Sequence, residues 1–141
     1  MKITHMQAIC DHLNIDLRVG DCDYAACYTR ECWDNKDWEG YWFAHKSEFA
    51  IIYIPISYCL NHRTFGFFHE LGHIIDHIHK TEFDTTWDGE VSAWEWAWIF
   101  CQLHDWNDKL AFREDVIVCL STYNKSGMHN MQAALKKIGI R

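Results

Sequence analysis

A chain of 141 residues is long enough for one compact domain with a hydrophobic core and too short for two independent ones. With 49% hydrophobic and 16% aromatic residues it is too apolar for a disordered chain, and charges interrupt it too often for a bilayer span. A formal net charge of −7 argues against a phosphate-backbone binder, which needs a basic face, so no direct nucleic-acid partner is expected. Residues Met1 to Gln7 lack the apolar run of a secretory signal, so a cytoplasmic protein with reduced thiols is expected. The seven cysteines are odd in number, and at least one cannot pair within the chain.

Taken in chain order, apolar Met6, Ile9, Cys10 and Leu13 fall on one helical face, predicting a helix from Thr4 to about Leu17 with Thr4 as N-cap. Residues 20–40 read as loop, with a short strand over Ala25–Thr29. Tyr41–Ala44 and Phe49–Ile54 read as strands joined by a hairpin connection at His45–Glu48, the second stopping at the only proline, Pro55. Phe65, Phe68, Leu71, Gly72, Ile75 and Ile78 mark the core face of a second helix running to about His79. A third is expected from about Asp88 to His104, capped by Asp88 or Thr86, a fourth over Lys109–Tyr123, and a fifth ending at Gly139. One helix, a small sheet and then helices make an α+β domain spanning residues 1–141.

The second helix contains His69-Glu70-Leu71-Gly72-His73, the HExxH pattern. Residues four apart on a helix differ by about 40° in azimuth and about 6 Å along the axis, so both imidazoles can reach one ion. Glu70 lies about 100° from His69, poorly placed as a ligand but well placed to act as general base on a water. A catalytic zinc site needs a third protein ligand and an open fourth position. Glu90 is the candidate, on a helix that a short turn can fold back beside the second, with Ala93 and Ala97 on its face and Gly72 opposite allowing close approach. Glu82, Asp84, Asp88 and Glu95 compete for that role.

Over residues 40–100 the chain resembles the ImmA/IrrE family of gluzincin-type metallopeptidases. The resemblance is carried by a Gly-aromatic strand, a second β-rich strand, Arg63 and Phe65, the HExxH run followed by His77, and Glu90-x-x-Ala93-x-x-x-Ala97. It implies a compact zincin-like (minigluzincin) fold with a small antiparallel or mixed sheet, an active-site helix and a packed helical C-terminal part. It further implies one Zn²⁺ per chain on His69, His73 and Glu90, with Glu70 as base. The implied function is a zinc endopeptidase of narrow specificity, encoded by a phage or other mobile element and cleaving a helix-turn-helix repressor. Two departures from the family stand out. Trp94 occupies a position that usually holds Asn or Asp, which takes away a side chain able to orient a ligand by hydrogen bonding. The apolar-Pro ending of the third helix is replaced by Cys101-Gln102-Leu103-His104.

The other class of function consistent with these residues is a catalytically weak or inactive zincin-fold protein that binds and inhibits a host protein. Peptide hydrolysis also calls for an oxyanion stabiliser, for which His77, His79, Arg63 and Tyr53 are unranked candidates. The Phe49–Ile54 strand can pair with an extended substrate if it lies at the sheet edge. Cys22, Cys27 and Cys32 recur at intervals of five, a poor fit to the tight spacing of structural zinc loops, and are expected to be buried thiols. Trp94, Trp96 and Trp98 cannot share one helix face, which leaves an apolar patch for a partner open. Residues 124–141 hold four basic residues and no acid, which reads as charge placement at a helix C-terminus in preference to a docking surface for an acidic partner.

Overall fold

The computed structural model describes residues 1–29 and 49–141. In chain order these form α1 (Ile3–Leu13), β1 (Ile15–Gly20), β2 (Ala26–Thr29), β3 (Ala50–Pro55), α2 (Leu60–Ile78), α3 (Thr86–Leu103), α4 (Lys109–Thr122) and α5 (Met131–Ile138). The fold is α+β, with a three-stranded mixed sheet of order β1-β3-β2. Strands β1 and β3 run parallel, from Ile15 opposite Ala50 to Gly20 opposite Pro55, and β2 pairs antiparallel to β3 from Ala26 opposite Tyr53 to Thr29 opposite Ala50. Among the described residues no helix is long and apolar enough to cross a membrane.

The first helix stops four residues earlier than its apolar spacing predicts. Asn14 takes a left-handed conformation (φ 57°, ψ 44°) and its N–H closes on carbonyls of the last turn. Asn is one of the few residues that enters that region cheaply. Ile15, Leu17 and Val19 then continue with period two rather than 3.6, and the segment read as a helix end is β1. Strand β3 sits between β1 and β2, not at an edge, and its Ile51, Ile52 and Ile54 are buried. Substrate pairing along β3 is thereby ruled out. The expected strand Tyr41–Ala44 and hairpin connection His45–Glu48 lie outside the described residues.

Helix α2 begins at Leu60, a turn before the predicted apolar face, and is buried almost all round. Phe65, Phe67, Phe68 and Ile74 are sealed in the core, whereas Ile78, assigned to the core face from its spacing, is 51% exposed at the last residue of α2. The N-cap of α3 is Thr85, not Thr86 or Asp88: its hydroxyl oxygen accepts from the Asp88 N–H at 3.2 Å and its O–H donates to the Asp88 carboxylate at 2.9 Å. Asp108 and Asn130 cap α4 and α5 through Ala111 and Ala133, and Gly139 ends α5 at φ 92°.

Helices α2 and α3 approach closely at Gly72. A β-carbon at Gly72 would lie 2.5 Å from the Ala93 carbonyl oxygen and 3.0 Å from its Cα, so only glycine fits. Trp96, on the opposite side of α3 from buried Trp94 and Trp98, donates its indole N–H to Asp76 at 3.0 Å and ties the ends of the two helices together. The three tryptophans therefore divide between two packed faces.

Candidate metal centre

Helix α2 carries His62, Gly66, His69, His73 and His77 on one stripe, since each step of three or four residues returns close to the same azimuth. The stripe floors a cleft of about 800 Å³. One wall is β2 with the turn before it; the other is α4, contributing Asp115, Cys119 and, at its C-cap, Tyr123. A smaller cavity of about 440 Å³ also borders His73 and Glu90, beside the turn Phe83–Thr86.

The Gly72–Ala93 contact decides which acid meets the histidines. Glu90 lies one turn before Ala93, and the close approach of the helices brings its carboxylate onto the stripe. Glu90 Oε2 is 2.9 Å from His69 Nε2, Glu90 Oε1 is 3.3 Å from His73 Nε2, and the two Nε2 atoms are 3.1 Å apart. A tetrahedral ion with metal–nitrogen bonds of about 2.0–2.1 Å has donor–donor edges of about 3.3 Å. Although so close to His69, the buried Glu90 Oε2 has no aligned hydrogen-bond donor, the orphaned state expected of ligands that converge on a shared cation. His69, His73 and Glu90 could thus hold a metal ion, and they form the one such group among the described residues. The rival acids are placed elsewhere: Asp88 is engaged with Thr85 at the helix cap, Asp84 lies in the smaller cavity, and neither Glu82 nor Glu95 joins the group.

The electrostatics tie the three residues into one unit. Burial pushes the Glu90 carboxyl up, but the adjacent His69 and His73 imidazoles outweigh it and hold Glu90 well below the usual carboxylate range. Burial likewise opposes protonation of His73, and the Glu90 carboxylate overcomes this to raise it. Glu70 is 8% exposed and lines the same cleft, beside the histidines but not among the converging donors.

Where the resemblance implies Asn or Asp, Trp94 stacks on the His69 ring, with centroids 4.1 Å apart and planes at 27°. His69 Nδ1 is buried without a hydrogen-bond partner. The ring is held by a π-face instead of by an acceptor.

Of the four oxyanion candidates, His77 lines the cleft. Tyr53 stands on the outer sheet face, accepting from Arg18 Nη1 at 3.2 Å, His79 is exposed past the end of α2 with its ring near Trp96, and Arg63 does not reach the cleft lining. Sequence reasoning missed three groups that do line it. His62 donates from Nδ1 to Asp115 at 2.7 Å, with the Tyr58 ring 4.3 Å from the imidazole, and Tyr123 lines the cleft from the C-cap of α4. His62 was findable as the stripe residue two turns before His69. Nothing local marks Asp115 or Tyr123, which reach the cleft only through the packing of α4.

Of the six described cysteines Cys10 and Cys101 are buried, Cys119 is half-buried and Cys59 exposed; Cys22 and Cys27, expected to be buried, are only half-buried, while Cys32 lies outside the described residues. Burial pushes the Cys10, Cys101 and Cys119 thiols up to about 12, which makes them inert packing groups.

Comparison with known proteins finds no matching family model, curated protein or solved structure.

Proposed function

We propose that the protein is a zinc-dependent endopeptidase of narrow specificity, a zincin-like domain of the ImmA/IrrE type that acts in the cytoplasm on a regulatory protein of the helix-turn-helix repressor kind. The observation that carries this reading is the convergence of His69, His73 and Glu90 on the floor of an open cleft with Glu70 beside them. Three donors leave a fourth position for water or substrate, which describes a catalytic rather than a structural zinc site. The cleft is also of the size that ligand sites occupy. When bound, zinc supplies the Lewis acidity that polarises a scissile carbonyl and acidifies a water. Glu70 accepts that water's proton and delivers it to the leaving amine.

A second reading, a zincin-fold protein that occupies a host protein without cleaving it, is favoured by Trp94: the His69 ring lacks the acceptor that usually raises a ligand's basicity. Glu70→Gln separates the two. Zinc-loaded wild type and variant are incubated with a proteome-derived peptide library and new N-termini are read by mass spectrometry. The peptidase reading expects new termini from wild type and a loss of about 10²–10⁴-fold in the variant. Indistinguishable sets of termini would overturn it in favour of the binding protein.

A further inference from the structure

We propose that His62 and Tyr58 form a carboxylate-binding subsite of the cleft, two turns of α2 away from His69, offering an imidazole N–H and a phenol O–H to an acidic side chain or the C-terminal carboxylate of a bound peptide. The inference rests on the peptidase reading for the nature of the ligand, a peptide, and not on the metal. Both residues line the cleft that holds His69, His73 and Glu90. Seven residues of helix separate His62 from His69, about 10 Å along the axis, and an extended peptide covers that span in about three residues. Gly66, between them on the stripe, places no side chain there. A β-carbon at Gly66 would stand 3.8 Å from Tyr58 Cε2, so the tyrosine ring lies close over this part of α2.

Both side chains are anchored through one polar atom and keep a second donor unpaired. His62 Nδ1 is engaged by Asp115 of α4 at 2.7 Å, which fixes the ring and favours its protonated form. The N–H at Nε2 points away from that bond and has no partner among the described residues. The Tyr58 ring stands 4.3 Å from the imidazole, and its hydroxyl oxygen accepts from the Ala25 N–H at 3.3 Å. Its own O–H has no acceptor among the described residues. Burial pushes the Tyr58 phenol up, so it keeps its proton through the neutral range.

The charge of the ligand follows from what surrounds the pair. Hydrogen bonds to an ionised partner are roughly twice as strong as neutral ones. No Lys or Arg lines the cleft among the described residues, so away from the metal an imidazolium has to supply the positive charge, and His62 has the carboxylate partner that favours one.

The whole chain, immobilised and stripped of metal by chelator, is offered mixtures of N-acetylated octapeptides, one arm ending in free carboxylates and the other in amides. Working without zinc keeps the ion from capturing carboxylates itself. Peptides retained by wild type, His62→Gln and Tyr58→Phe are read by mass spectrometry. Wild type is expected to enrich Asp and Glu over Asn and Gln at one position of the amide arm if the ligand is a side chain, or to favour the free-acid arm if it is the terminus. The preference should fall about 10–100-fold in His62→Gln, and fall also in Tyr58→Phe, which leaves the His62–Asp115 pair intact and guards against a folding defect in the first variant. No carboxylate preference in wild type, or one that Tyr58→Phe or a folded His62→Gln keeps, would overturn the subsite. If that happens while zinc-loaded wild type still yields new termini that depend on Glu70, the subsite falls and the peptidase stands. A preference that depends on His62 and Tyr58 in a chain that cleaves nothing upholds the subsite and removes the peptidase.

Discussion

His62 Nδ1 meets Asp115 Oδ2 at 2.7 Å between α2 and α4, and this hydrogen bond raises the imidazole pKa against the opposing cost of burial. A raised folded-state pKa means that the pair's contribution to stability is complete below the ordinary histidine value of about 6.5 and is lost as pH rises through the folded value. Because the imidazole is 43% exposed, solvent screens the energy and the titration itself is the better readout. Proton NMR should find the His62 midpoint above about 6.5 in wild type and close to it in Asp115→Asn; a wild-type midpoint at or below that value contradicts the pairing. At this scale His69 and His73, which could hold a metal ion with Glu90, were legible as a pair because HExxH is a local pattern: their four-residue interval is one helical turn whatever surrounds it. Glu90 was legible through Gly72, Ala93 and Ala97, small residues that announce a close crossing. Asp115 and Tyr123 were not, since only tertiary packing brings them to the cleft.

Gly72 links packing to chemistry at the scale of elements. The Ala93 atoms facing it are backbone and cannot swing aside, so Gly72→Ala must part α2 from α3 and draw Glu90 away from both histidines. A stability loss of about 1–3 kcal/mol is expected from the overpacking, together with weakened zinc binding. Parallel thermal denaturation and chelator competition would show both effects; a variant with wild-type values in each would mean that the crossing does not set the ligand geometry. The same scale explains where element prediction failed. Ile9 and Leu13 continue into Ile15 and Leu17 with spacings that a helix and a strand can both claim, and Asn14, a left-handed stop, decides between them. The stop at Gly139 was readable because it is a short-range signal with its own hydrogen bonds.

Across the whole molecule, strand order is what the sequence hid. The apolar run of β3 suits an edge or a centre, and only the pairing of β1 on one side and β2 on the other makes it central and leaves β2 as a cleft wall. Of the four basic residues in the C-terminal stretch, Lys136 and Lys137 fall in the last turn of α5, where the helix dipole favours cations. What remains distinctive is the cleft, with three converging donors at its floor, a glutamate beside them and a tryptophan stacked on one of the histidines. The most direct test is metal content by inductively coupled plasma mass spectrometry on untagged wild type and Glu90→Ala, the variant guarding against adventitious uptake by the ten histidines. One zinc per wild-type chain, lost or loosened in Glu90→Ala, is the predicted result. A folded wild type that refuses added zinc, or a variant that holds it as tightly, would contradict the metal centre.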